Sequence, residues 1–148
     1  MPKNADPIYD PETGKFWREA GCASYTGYRY IWFQGRQCLE HRVAWFLHYG
    51  VWPEGQVDHI NGIKSDNRIS NLRLASPSEN LQNRPKPRNN ISGHKGVSWI
   101  KRYRAWQATI RFDGKNKFLG RFATREEAAS AYNKAALQYH GEFARIDL

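Results

Sequence analysis

Only two cysteines occur in this chain, Cys22 and Cys38, and they form no C-x-x-C pair. Two thiols cannot build a four-cysteine zinc site, and they give no disulfide framework; both read as buried and free. The N-terminal Met-Pro-Lys-Asn-Ala-Asp-Pro lacks the apolar core of a secretory signal, which points to an intracellular protein that is not secreted. No apolar run is long enough for a membrane span, and no basic amphipathic helix stands in for one, so a membrane is not the expected partner. Internal repeats are absent. Acidic residues are also scarce, 14 against 23 Lys and Arg, which leaves a net charge of +9 and an isoelectric point near 9.8. With a membrane set aside, such a balance points to nucleic acid.

At 148 residues and 40% apolar content, the chain can bury one modest core or two small ones. The charge divides it. Residues 1–81 carry 9 basic and 9 acidic side chains, whereas residues 82–148 carry 14 and 5, so the whole excess lies in the second part. Between them, Gln82-Asn-Arg-Pro-Lys-Pro-Arg-Asn-Asn-Ile-Ser-Gly93 has no helical or strand period and reads as a linker over 82–93. Two readings stand for it: an extended basic segment that follows a DNA groove, with Arg84, Lys86 and Arg88 along phosphates, or a solvated tether. The expected organisation is a module over 1–81, the linker, and a basic module over 94–148.

In the first module, two runs rich in β-formers flank Gln34-Gly35 and predict a hairpin over 27–39. A helix over 40–49 follows, with Val43, Ala44, Phe46 and Leu47 on its apolar face and Gly50 as its stop. His41 and Arg42 fall in its first turn. His41 reads as a packing or hydrogen-bonding residue, with approach to a phosphate or metal as the other reading. Short strands are expected over 56–60 and 72–75, with an Asn61-Gly62 turn after the first. Ser76-Pro-Ser-Glu79 has a cap serine, a proline at the first helical position and a glutamate three after the cap, which predicts a helix start that includes Asn80. Asp-His-Ile-Asn-Gly lacks the ligand ladder and closing Glu of a calcium loop. Asp58, His59, Asn71 and Asn80 thus lie on a strand, turn, strand, helix series that offers a possible base with an oxygen ligand beside it.

This series resembles the zinc-free HNH nuclease motif of bacteriophage homing endonucleases. The resemblance is carried by His41-Arg-Val-Ala-Trp, Val57-Asp-His-Ile-Asn-Gly, Ser65-Asp-Asn-Arg-Ile-Ser-Asn-Leu-Arg and Ser76-Pro-Ser-Glu-Asn80, about half the chain. It implies a ββα-metal module in which His59 is the general base, Asn71 orients its ring, and Asp58 and Asn80 bind one metal ion. His41 and Arg42 are possible accessory residues. Asn80 stands where the motif has its last His, and an amide oxygen suits Mg²⁺ or Mn²⁺ without structural zinc.

In the second module, residues 105–112 alternate, with Trp106, Ala108, Ile110 and Phe112 on one face and Ala105, Gln107, Thr109 and Arg111 on the other. Strands over 96–100 and 117–122 complete a three-stranded antiparallel sheet. Thr124-Arg-Glu-Glu127 is a capping box opening a helix to Tyr139, whose alanines allow close packing on the sheet. The half resembles the Apetala-type (ethylene-responsive factor) DNA-binding domain, through Lys95-Gly-Val, Trp106-Gln-Ala-Thr-Ile-Arg111, Phe118-Leu-Gly-Arg-Phe and the helix from Thr124 to Ala136. In that family the sheet enters the major groove. The resemblance implies DNA contacts from Lys95, Arg111 and Phe118, with Gln107 and Thr109 on the same strand face and Arg102 and Arg104 for groove or phosphate. Ser98 and Thr109 replace an Arg and a Glu of the plant pattern, and the first hairpin is one residue longer, so the plant target sequence does not carry over.

The sequence therefore predicts an α+β protein, a ββα-metal module followed by a three-stranded sheet packed on one helix. The expected activity is metal-dependent cleavage of double-stranded DNA by a monomer or weak dimer, one strand nicked per active site. The rival expectation is a DNA-binding regulator on a nuclease scaffold. RNA binding is disfavoured because the C-terminal module lacks an evident aromatic platform.

Overall fold

The computed structural model describes residues 7–17 and 22–146, and the chain divides into two units, Met1–Ser76 and Pro77–Leu148. In the first unit, β1 (Ile8–Tyr9) pairs antiparallel with β2 (Phe16–Trp17), and β3 (Cys22–Ala23), β4 (Arg29–Phe33) and β5 (Arg36–Leu39) form an antiparallel sheet in that order. Gln34 and Gly35 both take positive φ, 47° and 75°, which is the backbone of a two-residue turn whose twist matches the strands it joins. The chain then enters α1 (Glu40–Tyr49), and Gly50 ends it in the left-handed region at φ 75°.

β6 (Gln56–His59) and β7 (Leu72–Ala75) make a separate antiparallel pair in which Val57 faces Leu74, Asp58 faces Arg73 and His59 faces Leu72. Two apolar clusters hold this unit. Ile31, Phe33 and Val43 pack with Phe46 and Trp52, and Ala44, Val57 and Leu72 pack with Tyr9, Phe16 and Ile69. The same helix contributes to both, so α1 joins the sheet to the β6–β7 pair. Cys38 is half-buried beside the first cluster as a free thiol, but Cys22 is exposed, because β3 is a two-residue edge strand with neither residue covered.

The second unit opens with α2 (Pro77–Gln82). Its sheet has the order β10 (Lys115–Phe122), β9 (Ala105–Phe112), β8 (Val97–Ile100), all antiparallel. Asp113 and Gly114 both take positive φ, so pairing runs up to the turn and β10 starts at Lys115, two residues before the strand expected from hydropathy. α3 (Arg125–His140) is opened by the reciprocal Thr124–Glu127 capping box, worth about 1 kcal/mol. It covers one sheet face, with Ala108 and Ile110 of β9 buried against Ala128, Tyr132, Ala135 and Ala136. Gly96 has φ +71°, and a Cβ there would lie 2.2 Å from the Tyr132 ring, so the start of β8 approaches the helix only without a side chain.

The segment expected as a linker over 82–93 is partly built into this unit. Ser92 is buried, and its hydroxyl donates within reach of the Val97 and His94 carbonyl oxygens at 2.8 and 2.9 Å, while Asn90 donates to His94 O at 2.9 Å. Its prolines and polar residues show no period because side-chain bonds to the backbone, not a repeating ladder, organise it. Among the described residues no helix is long and apolar enough to cross a membrane.

Candidate functional site

Adjacent residues of a strand point to opposite faces, so Asp58 and His59 leave β6 on two sides, and both are buried. Asp58 meets its cross-strand partner. The Arg73 guanidinium places Nε and Nη2 at 3.0 and 2.9 Å from Asp58 Oδ2, an ion pair with both side chains largely covered. One carboxylate oxygen is thereby fixed by a cation, which sets the direction of the other. Arg73 carries no signal of its own in the sequence, although its place follows from the strand register once 56–60 is paired with 72–75.

His59 turns towards α1. Its Nε2 lies 3.0 Å from Asn67 Oδ1, Asn67 Nδ2 lies 3.0 Å from Glu40 Oε2, and Arg29 Nε donates to that same oxygen at 2.9 Å. Burial pushes the His59 imidazole below its ordinary range, opposed by the Asn67 contact and the Asp58 and Asp66 carboxylates. Burial likewise raises the Glu40 carboxyl, opposed by Arg29 and Asn67. The motif implies a ring contact from Asn71, and the structure gives that contact to Asn67. Asn71 instead braces the loop after β6. Its Oδ1 accepts from Asn61 N at 3.0 Å, and its Nδ2 donates to Asn61 Oδ1 at 3.0 Å and Asp66 O at 2.8 Å. Its carbonyl also accepts from Ile60 N at 2.9 Å, so Asn71 fixes the loop that leaves His59 and reaches the ring only through the backbone.

His41 packs against this ring, edge to face, with centroids 5.1 Å apart, and Tyr28 lies 5.4 Å from His41. Its Nδ1 is buried with no hydrogen-bond partner among the described residues. Burial, then the neighbouring His59 and Arg42, take its pKa down to about 3. Above about pH 6.5 neither folded nor unfolded chain protonates this group, and below it only the unfolded chain does. Stability is therefore lost as pH falls from 6.5 towards 3, by about 1.4 kcal/mol per unit from this residue. Urea midpoints measured from pH 8 to pH 5 should fall, and His41→Leu should flatten the decline; an equal slope in that variant would contradict the assignment. Arg42, the other accessory residue, donates to the carbonyls of Gly55 and Pro53 at 2.8 and 2.9 Å, which anchors the chain entering β6.

Asn80 stands on α2, in the second unit. Among the described residues no group of three or more His, Cys, Asp or Glu is placed to hold a metal ion. The oxygen donors the motif implies, one carboxylate and one amide, suit a hard cation that keeps water and substrate oxygens in its shell.

On the second unit, the sheet face away from α3 carries Gln107, Thr109 and Arg111 on β9, and β10 sets Phe118 opposite Thr109 and Arg121 opposite Gln107. Arg121 lies 3.5 Å over the Tyr103 ring and 5.5 Å from Phe118. Sequence parity alone misses Arg121, because the bulge between Phe118 and Gly120 shifts the alternation that places it on this face. Phe118 is 59% exposed and Tyr103 47%, so the face does present aromatic surface, contrary to the expectation from sequence. Arg102 and Arg104 are exposed at the Lys101–Tyr103 turn. His140 Nε2 meets Arg111 O at 2.9 Å and fixes that end of β9. Lys95 is committed elsewhere, its ammonium donating to the carbonyls of Arg84, at 2.7 Å, and Gln82.

Residues 38–82 match the HNH endonuclease family. Protein 3.8 of Escherichia phage T7 is 36% identical over 109 residues, 72% of this chain and 88% of that protein. An uncharacterized HNH endonuclease of Acanthamoeba polyphaga mimivirus is 32% identical over 120 residues, 80% of this chain and 62% of that protein. An AP2-like ethylene-responsive transcription factor of Arabidopsis thaliana is 38% identical over 61 residues, 41% of this chain and 13% of that protein. No solved structure matches the chain at a significant level.

Proposed function

Since the chain belongs to the family of phage T7 Protein 3.8 and carries an HNH endonuclease domain over residues 38–82, we propose that it is a metal-dependent, homing-type DNA endonuclease acting inside the cell. The observation that carries this reading is a buried His59, held by a hydrogen bond from its ring to Asn67 and followed back along the same strand by the buried Asp58 carboxylate. In the reaction, a water oxygen bonds to phosphorus, its proton passes to a ring nitrogen of His59, and the bond from phosphorus to the 3′ oxygen breaks. The products are a 5′ phosphate and a 3′ hydroxyl that takes its proton from solvent. Asp58 is the proposed ligand of Mg²⁺ or Mn²⁺. The resemblance adds Asn80, a role that rests on the motif alone. When bound, such an ion neutralises charge on the scissile phosphate and stabilises the departing oxygen. Arg73 holds the Asp58 carboxylate in one orientation, and Asn71 keeps the loop after His59 in place.

The second unit is the proposed DNA reader. The AP2-like relative named as a transcription factor supports this, as do the basic, partly aromatic sheet face bearing Gln107, Thr109, Arg111, Phe118 and Arg121 and the adjoining turn with Arg102 and Arg104. One active site per chain implies a nick in one strand of duplex DNA, by a monomer or weak dimer.

One observation favours a different reading, a DNA-binding regulator on a nuclease scaffold: the Arg73 guanidinium already occupies Asp58 Oδ2, where a cation would compete with it. Metal removal separates the two. Chelation with EDTA should abolish plasmid cleavage, Mg²⁺ or Mn²⁺ should restore it, and Asp58→Ala should lose the restored activity by about 100-fold or more. A chain that shifts duplex DNA in a gel yet leaves it uncut with either ion is the regulator.

A further inference from the structure

Glu40 is a charged residue in the first turn of α1 that points inward, 3% exposed, and no role for it follows from the motif. We propose that Glu40 is a positioning residue: acting through Asn67, it fixes His59 in the tautomer with Nε2 protonated, leaving Nδ1 as the nitrogen that accepts the proton from water. The choice of Nδ1 as base rests on the nuclease reading above; the tautomer itself does not.

Each contact in the series fixes the next. A guanidinium has only donors, so Glu40 Oε2, which receives Arg29 Nε at 2.9 Å, is an acceptor whatever the state of the other oxygen. The end of the Asn67 amide that lies 3.0 Å from this oxygen must be its NH₂. The amide is planar, so its other end, Oδ1, is presented to His59 Nε2 at 3.0 Å. An oxygen that only accepts is satisfied there only by an N–H, and a neutral imidazole carries one N–H. Nε2 holds the hydrogen and Nδ1 the lone pair.

Reversing the amide would set oxygen against oxygen at Glu40, whichever tautomer His59 adopts. With Asn67 1% and Glu40 3% exposed, water cannot repair that mismatch. The Asn67 backbone is clamped as well. Tyr9 Oη donates to Asn67 O at 2.6 Å, Ile69 N donates to Pro11 O at 2.9 Å, and a Cβ at Gly14 would lie 2.4 Å from Arg68 N, so the β1–β2 ribbon closes directly over this segment. Asn67 therefore cannot swing away from the histidine to relieve an unfavourable contact.

The test reads the tautomer directly, on the full chain labelled with ¹⁵N, by long-range ¹H–¹⁵N correlation of the His59 ring at a pH where it is neutral, without DNA or metal. The wild type should show Nε2 protonated and Nδ1 not. Glu40→Met, which removes the acceptor, should give a mixture of tautomers and lower kcat for plasmid nicking by about 10- to 100-fold with unchanged DNA affinity. Glu40→Gln keeps an oxygen for Arg29 and Asn67 and should restore both. An Nδ1-protonated ring in the wild type, or a Glu40→Met spectrum like that of the wild type, overturns the proposal. Should Glu40→Met fail to fold, the wild-type and Glu40→Gln spectra decide, each required to show Nε2 protonated. Absence of cleavage with the expected tautomer would count against the nuclease reading alone.

Discussion

Replacing His59 by alanine should lower DNA cleavage by about 100- to 10,000-fold, the range attached to a positioned general base, while binding to duplex DNA stays within about twofold of the wild type. The separation follows from where the residue sits. His59 is buried on the β6–β7 hairpin among Asn67, His41 and Tyr28, and it offers little surface to a phosphate backbone. The substitution also removes the partner of Asn67 Oδ1, so a stability loss of about 1–3 kcal/mol should accompany it, visible as a lower urea midpoint. Single-turnover cleavage of a supercoiled plasmid, with a gel shift on the same samples, measures both quantities. Cleavage within tenfold of the wild type would remove His59 as the base, and equal losses of cleavage and binding would make its role structural.

The second large effect is expected on affinity. Arg102, Arg111 and Arg121 lie at the turn after β8 and on the uncovered strands of the second unit, and the net charge of +9 comes wholly from residues 82–148. If each meets one phosphate, changing all three to alanine should flatten the slope of log K against log salt by about 2.7, at about 0.9 per contact, and weaken binding about 100-fold at low salt. Lys134 supplies the control. It is exposed on α3, which packs on the opposite sheet face, and Lys134→Ala should leave the slope nearly unchanged. Filter binding of a duplex across a salt series gives the slopes. A triple variant with the wild-type slope would show that the sheet does not lie on DNA, and a larger effect at Lys134 would turn the unit over.

What can be read from sequence is local. The alternation of Trp106, Ala108, Ile110 and Phe112 specifies β9, Thr124 with Glu127 specifies the start of α3, and Gln34-Gly35 and Asp113-Gly114 specify tight turns, because neighbours along the chain determine each of these. The histidine and aspartate of the hairpin are equally visible as a dipeptide in a motif. The groups that hold them are not. Glu40 and Asn67 are 27 residues apart, and in sequence Glu40 is an ordinary acidic residue at a helix start, where the helix dipole already accounts for it. Asn67 and Asn71 lie four apart in the same turn-rich segment, and no periodicity tells which amide reaches the ring; only the folded position of α1 does. Arg73 is intermediate, since pairing β6 with β7 in register places it opposite Asp58. Ser92 is hidden for the same reason as Glu40: its burial depends on the start of β8, not on its neighbours in sequence.

The nuclease assignment is tested most directly by the products of a time course with supercoiled plasmid, the purified chain and Mg²⁺. Nicked circles should form first, linear DNA should follow only later, and the nicks should carry 5′ phosphates and 3′ hydroxyls. Plasmid that remains supercoiled while fully bound, with Mn²⁺ as with Mg²⁺, would contradict that assignment.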